Sequence, residues 1–315
     1  MNVVNVVVTC TKDKRYPIAD DCQIRNIPNG TLADRINEWQ DRLNRRFCER
    51  VIVNDLYSGD HWANVRAFSS ACFDIDLWVC SAGLGLIRVD DKVPPYAATF
   101  SRNHPDSVSD SFSESERSTA TKDWWNAIQN CWKSWFNDRP RSLSMLMARY
   151  PKRSLLVVTS EAYLQAIADD LRQGVSCLFD PDQLSVVCSG VKTLKGLEAN
   201  LIPCDARMQA LTGGVRRSLN TRLANRILCE SRLPPRASAL IEPYQKLLDQ
   251  QPPIKTYNRE QITDGFVMQY IRQHLKEDCS KRHTPLLRLL RNQNFACEQN
   301  RFVCLFNKVK EELSG

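Results

Sequence analysis

Short apolar runs rich in β-branched residues recur along this chain and alternate with segments of helical periodicity. The runs in which this character is clearest are Val3–Thr9, residues 154–159 and residues 184–188. Strands buried on both faces of a parallel sheet have this continuous apolar character. Residues 31–50 space their apolar side chains at a helical period, with Thr31 placed as the N-cap. The order predicts an α/β fold, a wound parallel or mixed sheet flanked by helices, and adds residues 49–53 as a further strand.

Two proline-containing stretches mark a change in the pattern near the end of the chain. They are Pro234-Pro235 and residues 250–254. A chain of 315 residues with 43% apolar content can form one large core and a second, smaller one. We therefore predict an α/β domain over residues 1–235 and a small helical, mildly basic domain over residues 254–315.

No stretch of the sequence predicts a membrane span, a cleaved leader or a metal site. No window approaches 18 continuous apolar residues, and the N-terminal residues lead directly into a predicted strand, so we expect a cytoplasmic protein with no membrane partner. The 13 cysteines are odd in number and contain no Cys-x-x-Cys pair, which favours reduced, buried thiols. The 4 histidines are scattered. We predict no metal and no cofactor.

Positive charge is concentrated in two parts of the chain. The formal net charge is +7, and the segment 207–236 is rich in arginine and carries few acidic residues. This segment can be interpreted as a surface that binds DNA phosphates or as an ordinary solvated helix face. The excess of positive over negative side chains favours the DNA-binding surface. The predicted DNA-binding residues are Arg216, Arg217 and Arg222, with Arg288, Arg291 and Arg301 in the C-terminal domain.

Two loops that follow predicted strands have the composition of a ligand site. Cys10, Lys12 and Lys14 follow the first strand, and a turn with Gly83 and Gly85 follows the strand that ends near residue 80. Ligands of open α/β sheets bind at the carboxyl ends of the strands. An ordinary structural turn is the alternative for the glycine-containing segment.

Two further segments each allow a functional and a structural interpretation. Residues 102–121 are polar and nearly free of large apolar side chains, so they predict a mobile lid or a plain linker. Residues 122–136 carry 4 tryptophans. A core or interface stripe is the favoured interpretation of these tryptophans, and an aromatic platform for a nucleobase is the alternative.

The loops occur in an order that resembles the YaaA-like family. The resemblance covers roughly residues 1–230 and lies in the segments VTCTKDK (8–14), DLYSG (55–59), SAGLGL (81–86) and PYAAT (95–99). A later region with Asp205, Gly213-Gly214 and SLNTR (218–222) is also similar. The chain departs from the family at Ala97, where an acidic residue is frequent. The C-terminal helical segment is an addition to the family pattern.

The resemblance implies a fold, a substrate class and partners. YaaA-like proteins are similar to proteins that bind DNA, and their fold is shared with a module of archaeosine synthase, which acts on a 7-cyano-7-deazaguanine base in tRNA. A family member in bacterial 7-deazaguanine DNA-modification clusters, a setting of phage defence, looks like a nitrile hydratase that forms the 7-carboxamide in DNA. The resemblance therefore implies a lyase with DNA as partner, together with other proteins of such a cluster.

Hydration of a nitrile requires a nucleophile, a donor to the nitrogen and proton transfer in both directions. Cys10 is one candidate nucleophile, because the lysines beside it would favour its thiolate. A water oriented by Asp90 or Asp205 is the other, and Asp205 can instead cap a following helix. The predicted catalytic residues are Cys10, Lys12, Lys14, Tyr57, Ser81, Asp90, Tyr96 and Asp205, and the predicted substrate-binding residues are Ser58, Gly83, Gly85, Pro95 and Asn220.

Two functions from different classes remain open at the level of sequence. The first is the nitrile-hydrating DNA-modification enzyme, and the second is a non-catalytic DNA-binding protein of the YaaA type. A nuclease or glycosylase is disfavoured, because no paired-carboxylate metal motif is visible.

Overall fold

Ten strands occur in the described part of the chain, and they form three sheets. The computed structural model describes residues 2–110, 112, 117–136, 138–254 and 258–314. The strands are β1 (Val3–Thr9), β2 (Val51–Ile52), β3 (Asp74–Ser81), β4 (Gly85–Arg88), β5 (Lys92–Val93), β6 (Leu155–Val158), β7 (Leu184–Val187), β8 (Leu201–Ile202), β9 (Glu260–Gln261) and β10 (Phe295–Ala296).

Twelve α-helices are described alongside these strands. They are α1 (Leu32–Arg45), α2 (Val53–Leu56), α3 (Gly59–Arg66), α4 (Arg117–Ile128), α5 (Leu143–Arg149), α6 (Glu161–Val175), α7 (Gln209–Thr212), α8 (Leu219–Glu230), α9 (Ala237–Asp249), α10 (Asp264–Glu277), α11 (His283–Asn292) and α12 (Gln299–Ser314). Short 3-10 helices cover Asp20–Cys22, Ile24–Asn26, Phe47–Glu49, Pro181–Gln183, Glu198–Asn200, Ala206–Met208 and Arg216–Ser218.

The main sheet has six strands in the order β4-β3-β1-β6-β7-β8. All of its pairings are parallel except that of β3 with β4. Every residue of β6 and β7 is buried, as is almost all of β1, because helices pack on the sheet. The predicted α/β fold with a mostly parallel sheet is therefore confirmed.

The strand order changes direction beside β1. From β1 the chain adds β3 on one side, and after the β4 hairpin it crosses to place β6 on the other side. The connections that follow β1 and β6 therefore leave the sheet in opposite directions. Between them they open a crevice at the carboxyl ends of these two strands, which is where ligands bind in open α/β sheets.

Local sequence signals explain several element boundaries. Thr31 caps α1 in a capping box with Asp34, as its position before a helical period predicts. Trp124, Trp125 and Trp132 are buried, so the interpretation of a core stripe is confirmed for these three rings. The indole N–H of Trp124 donates to the Ala82 carbonyl at 2.7 Å, which satisfies the polar end of a buried ring.

Two elements differ from the sequence-based prediction. The strand expected at residues 49–53 shortens to β2, which pairs only with β5 in a separate antiparallel sheet and is not part of the main one. The turn after β3 leads into antiparallel β4, so the glycine-containing segment is the bend of a hairpin. In both cases the difference lies in pairing, which apolar patterns alone do not specify.

Part of the predicted lid is packed. Within residues 102–121, Asp106, Ser107, Val108 and Ser109 are buried, and Arg25 binds Asp106 at 2.6 Å. This ion pair and burial contradict a mobile lid for that portion of the segment. Residues 111 and 113–116 of the same segment lie outside the described residues, and α4 begins at Arg117.

The chain divides into two compact units, Met1–Pro252 and Pro253–Gly315. The first unit extends beyond residue 235 because α9 packs against β8 through Leu240, Tyr244 and Leu248 of the same core. The second unit has its own core, formed by α10, α11, α12 and the parallel pair β9 and β10. In the described part of the chain, no helix combines the length and the apolar character needed to cross a membrane.

Candidate active site

A cavity of about 350 Å³ opens at the crevice between β1 and β6. Its lining comes from the end of β1 and the loop after it, α3, residues 98–104, the end of β6, the first turn of α6, and the start of α8 with the 3-10 helix before it. The residues are Thr9, Cys10, Thr11, Lys12, Asp13, His61, Ala98, Thr99, Ser101, His104, Val158, Thr159, Ser160, Tyr163, Arg217 and Asn220. The volume is in the range of small-molecule sites, which is about 300–1,000 Å³.

Cys10 lies at the inner wall of this cavity and is 7% exposed. Its amide N–H donates to the Cys80 carbonyl at 3.0 Å, which continues the pairing of β1 with β3 by one residue. Its Sγ shares a hydrogen bond with the hydroxyl of Tyr163 at 3.1 Å. The strand end therefore holds the backbone of Cys10, and a residue far along the chain holds its thiol.

Tyr163 is in the first turn of α6, the helix that directly follows β6. Its ring packs edge-on against Phe100, with ring centroids 4.9 Å apart. Burial raises the pKa of Tyr163 well above its ordinary value, and the negative charge of a Cys10 thiolate acts in the same direction. The hydroxyl therefore stays protonated and can donate to the sulfur.

Lys14 does not line the cavity around Cys10, but it lines a neighbouring cavity of about 350 Å³ that shares part of its wall with that cavity. It donates a hydrogen bond to the Thr11 carbonyl, and its Nζ lies 4.8 Å from the ring centroid of Tyr57 and 5.0 Å from that of Tyr96. Burial lowers the pKa of Lys14 from its ordinary value. The negative charge of a Cys10 thiolate would act on this pKa in the opposite direction. A lowered pKa increases the share of neutral amine, which is the form that accepts a proton.

The buried hydroxyls of Tyr57, Tyr96 and Ser81 are connected by hydrogen bonds close to Lys14. Tyr57 and Tyr96 share a hydrogen bond at 2.6 Å, and Tyr96 shares another with Ser81 at 2.5 Å. Both tyrosines are 0% exposed, and burial raises the pKa of each well above its ordinary value. These groups hold the rings that flank the Lys14 amine, but they do not line the cavity around Cys10.

The glycine-containing turn has a packing role. The backbone N–H groups of Gly83 and Leu84 donate to Ser81 Oγ at 3.2 and 3.0 Å, so they are not directed at a ligand. A Cβ at Gly83 would lie 2.6 Å from the Tyr96 ring, and Gly85 has φ +72 at the hairpin bend. These hydrogen bonds fit the alternative of an ordinary structural turn better than a ligand site.

The remaining residues predicted near the substrate fall into two groups. Lys12 and Asn220 line the cavity, and Asn220 bridges two strand ends by accepting from Ser189 N at 2.9 Å and donating to Thr159 O at 2.7 Å. Ser58 donates its backbone N–H to Asp13 O at 3.0 Å and thereby holds the loop after β1. Pro95 is buried beside Tyr96 and does not line the cavity.

The two aspartates predicted to orient water lie away from the cavity. Asp90 faces Arg88 at 3.4 Å and Arg139 at 3.8 Å, next to the antiparallel edge strand. Asp205 caps the helix Ala206–Met208 and binds Arg207 at 2.8 Å, and the Arg207 guanidinium holds the pKa of this carboxyl below its usual range. Neither carboxylate is in the lining around Cys10.

The arginines predicted to bind DNA have different surroundings. Arg217 lines the cavity, and Arg216 is exposed beside it. Arg222 binds Asp60 at 3.0 Å and connects α8 to α3. In the second unit, Arg291 donates to Cys297 O at 2.8 Å and Arg301 pairs with Asp264 at 2.6 Å, whereas Arg288 is exposed.

We compared the chain with family models, curated proteins and solved structures. None of them matches it. The YaaA-like resemblance therefore remains a prediction from the loop motifs, and the site is interpreted from its own residues. Within the described residues, no three His, Cys, Asp or Glu side chains are grouped so that they could hold a metal ion.

Four titratable residues of the cavity lining are not among those predicted from the sequence, and they are Asp13, His61, His104 and Tyr163. The position of Tyr163 in the sequence could have indicated its place in the site, because the first turn of the helix after a predicted central strand faces the carboxyl edge of the sheet. His61 was counted only as a scattered histidine, yet its Nε2 lies 3.1 Å from Thr9 O and donates to it as an N–H, and burial lowers its pKa. His104 lies across the cavity, where its Nδ1 accepts from Asp106 N at 3.1 Å.

Proposed function

We propose that this chain is a DNA-modification enzyme that hydrates the nitrile of 7-cyano-7-deazaguanine in DNA to the 7-carboxamide. The observation that carries the proposal is the Cys10 thiol in a cavity at the switch point of the sheet, hydrogen-bonded to Tyr163, with Lys14 in the lining of the adjoining cavity. The substrate class comes from the YaaA-like resemblance of the loop motifs, for which DpdC of 7-deazaguanine DNA-modification clusters is the functional candidate.

The cluster contains the groups that covalent nitrile hydration needs. Cys10 supplies the nucleophile, and Lys14 accepts the thiol proton, because burial lowers the pKa of its amine. Tyr163 orients the sulfur and stabilises the thiolate with a charge-assisted hydrogen bond. The amino end of α6, which starts at Glu161 beside the cavity, also favours negative charge there.

The proposed reaction has two stages. The thiolate attacks the nitrile carbon, a C–S bond forms, and the nitrogen takes the proton held by Lys14, which gives a thioimidate. Water then adds to the same carbon while Lys14 accepts one of its protons and returns it to nitrogen. The tetrahedral adduct passes its hydroxyl proton to Lys14 and expels the thiolate, and the product is the carboxamide. One water is consumed, and no oxidant, reductant or cofactor is required.

The covalent route is preferred to direct activation of water by Asp90 or Asp205. Asp90 and Asp205 are held by arginines outside the cavity, whereas Cys10 is inside it. A carboxylate must lie within hydrogen-bond distance of the water it activates. Cys10 and Lys14 are therefore the residues to which we assign the chemistry, with Tyr163 as a positioning residue.

Location and partners form part of the same proposal. DNA is the proposed substrate, other proteins of a modification cluster are proposed partners, and the cytoplasm is the proposed location because it holds the DNA. The alternative is a DNA-binding protein without chemistry. It is favoured by the exposed Arg216 and Arg217 next to the cavity, since a basic surface alone suffices for binding.

Nucleoside mass spectrometry tests the proposal. Purified protein is incubated with DNA that carries 7-cyano-7-deazaguanine, and the modified nucleoside should gain the mass of one water. Cys10→Ala should abolish this gain and should leave DNA binding intact. Cys188→Ala is the matched control, because Cys188 is also buried at the end of a sheet strand, and burial raises its pKa to about 12.

The outcomes separate the two functions. Full activity in the Cys10→Ala variant would exclude the covalent route, since no other cysteine lines the described cavity. Unmodified nucleoside in the presence of protein that binds the DNA would support the non-catalytic alternative.

A further inference from the structure

The Cys10 cavity is one part of a longer groove along the carboxyl edge of the sheet. It shares Lys12, Asp13 and His104 with a neighbouring cavity of about 350 Å³. On its other side it shares Ser101 and Ser160 with a third cavity of about 460 Å³. The third in turn shares Glu161 and Gln165 with a fourth, of about 540 Å³. These cavities therefore lie next to one another in a row that includes the Cys10 cavity, and we call this row the groove.

Basic side chains predominate in the lining of this groove. Its acidic residues are Asp13, Asp106 and Glu161. Some of its basic residues are neutralised, such as Lys122 and Arg172, which both bind Asp169. Five exposed ones form no ion pair with any residue that the structure describes, and we call these the unneutralised cations: Lys12, Arg102, Lys192, Lys195 and Arg217. A row of unneutralised cations along one path is suited to a polyanion.

The depth of Cys10 limits how a nucleic acid can reach it. Its side chain is 7% exposed, and it lies in the wall of the cavity beside Tyr163. A base that stays stacked in a duplex cannot enter such a cavity, so the reactive nucleotide must be unpaired or flipped out of the helix. The nucleotides before and after it then remain outside the cavity and need a surface of their own.

We propose that the groove binds a single DNA strand, with the reactive nucleotide in the Cys10 cavity and the flanking phosphates on the unneutralised cations. This inference rests on the proposed function for the identity of the central base. Lys12 binds the phosphates on one side of the Cys10 cavity, and Arg217 lies at the cavity itself. The phosphates on the other side are bound by Arg102, Lys192 and Lys195.

The groove should recognise the backbone of the strand and not its sequence. The phenylalanine and tyrosine rings in its described lining, Phe100 and Tyr163, are 1% and 5% exposed, so these two rings offer no face on which flanking bases can stack. Binding should therefore depend strongly on salt, because cations that contact phosphates release counterions. For single strands the slope of log K against log salt is about −0.7 for each phosphate contact.

Fluorescence anisotropy with an unmodified single-stranded oligonucleotide tests the groove without requiring any reaction. The double variant Lys192→Gln/Lys195→Gln should bind more weakly and reduce the magnitude of the salt slope by about 1.4, which is two contacts at about 0.7 each. The matched control is Lys133→Gln/Lys152→Gln, which removes the same charge from exposed lysines outside the groove and should keep the wild-type slope.

Three results would overturn the inference. They are an unchanged slope in the groove variant, an equal loss in the control variant, or tighter binding of the matching unmodified duplex than of the single strand. If the wild-type protein hydrates no nitrile but the salt slope of the groove variant decreases as predicted, the enzyme proposal is refuted and the groove proposal is supported. If hydration occurs while the groove variant has the wild-type KM on the oligonucleotide, the groove proposal is refuted and the enzyme proposal is supported.

Discussion

Replacement of Tyr163 by Phe tests the role of a single hydroxyl at the proposed nucleophile. The substitution removes the group that lies 3.1 Å from Cys10 Sγ and keeps the ring that packs against Phe100 at 4.9 Å. A hydrogen bond to a charged group contributes about 1.5–3 kcal/mol. Because the thiolate is the attacking species, the loss should appear in the barrier, and it corresponds to a rate about 10- to 150-fold slower.

The same substitution should affect folding much less. The bond between a neutral hydroxyl and a thiol is weak, so we expect the free energy of unfolding to fall by about 1 kcal/mol or less. Single-turnover hydration, followed by nucleoside mass spectrometry, measures the rate, and urea unfolding measures the stability. Tyr244→Phe is the control, since Tyr244 is 5% exposed and lies in α9 away from the cavity.

One result would refute this account of Tyr163. If Tyr163→Phe hydrates the nitrile at the wild-type rate and unfolds at the wild-type urea concentration, its hydroxyl neither stabilises the thiolate nor orients it. A rate loss of the same size in Tyr244→Phe would also refute it, because the effect would then not depend on contact with Cys10.

Two further predictions concern the surroundings of Cys10. Burial lowers the pKa of Lys14 in the folded protein below the ordinary value of 10.5. Between the folded and the unfolded pKa the unfolded chain therefore binds more protons, and the free energy of unfolding should rise with pH in that interval. Lys14→Met should remove that rise in urea titrations at several pH values, and an identical pH dependence in both proteins would contradict the lowered pKa. Gly83→Ala places a Cβ 2.6 Å from the Tyr96 ring and should destabilise the first unit by about 1–3 kcal/mol. Gly265→Ala, where no heavy atom lies closer than 3.8 Å, is the control, and equal thermal midpoints for the two variants would exclude the predicted clash.

Local patterns in the sequence were sufficient for the class of fold and for most of its elements. The β-branched run Val3–Thr9 forms the centre of the sheet, and Thr31 caps α1 through Asp34. The tryptophans at 124, 125 and 132 are core residues. These features depend on side chains within a few residues of one another, so periodicity and capping chemistry identify them without knowledge of the fold.

Pairing between distant segments was not accessible in the same way. The glycines after β3 indicated a turn, but only β4, lying antiparallel to β3, makes that turn a hairpin. Asp205 and Arg222 carried functional predictions, and the structure shows that each has an ion-pair partner, Arg207 and Asp60 respectively. A charge in a sequence does not reveal whether another charge neutralises it.

The amino-acid sequence was sufficient to predict a mostly parallel α/β sheet with a second helical unit. It also placed Cys10 and Lys14 in a loop at the carboxyl edge of that sheet. Only the tertiary structure brought Tyr163 to the thiol of Cys10 across 153 positions and left Asp90 outside the cavity. The physical reason is that apolar periodicity acts over a few residues and selects helix or strand. The order of strands in the sheet decides which loops meet, and it is set by packing between segments far apart in the chain.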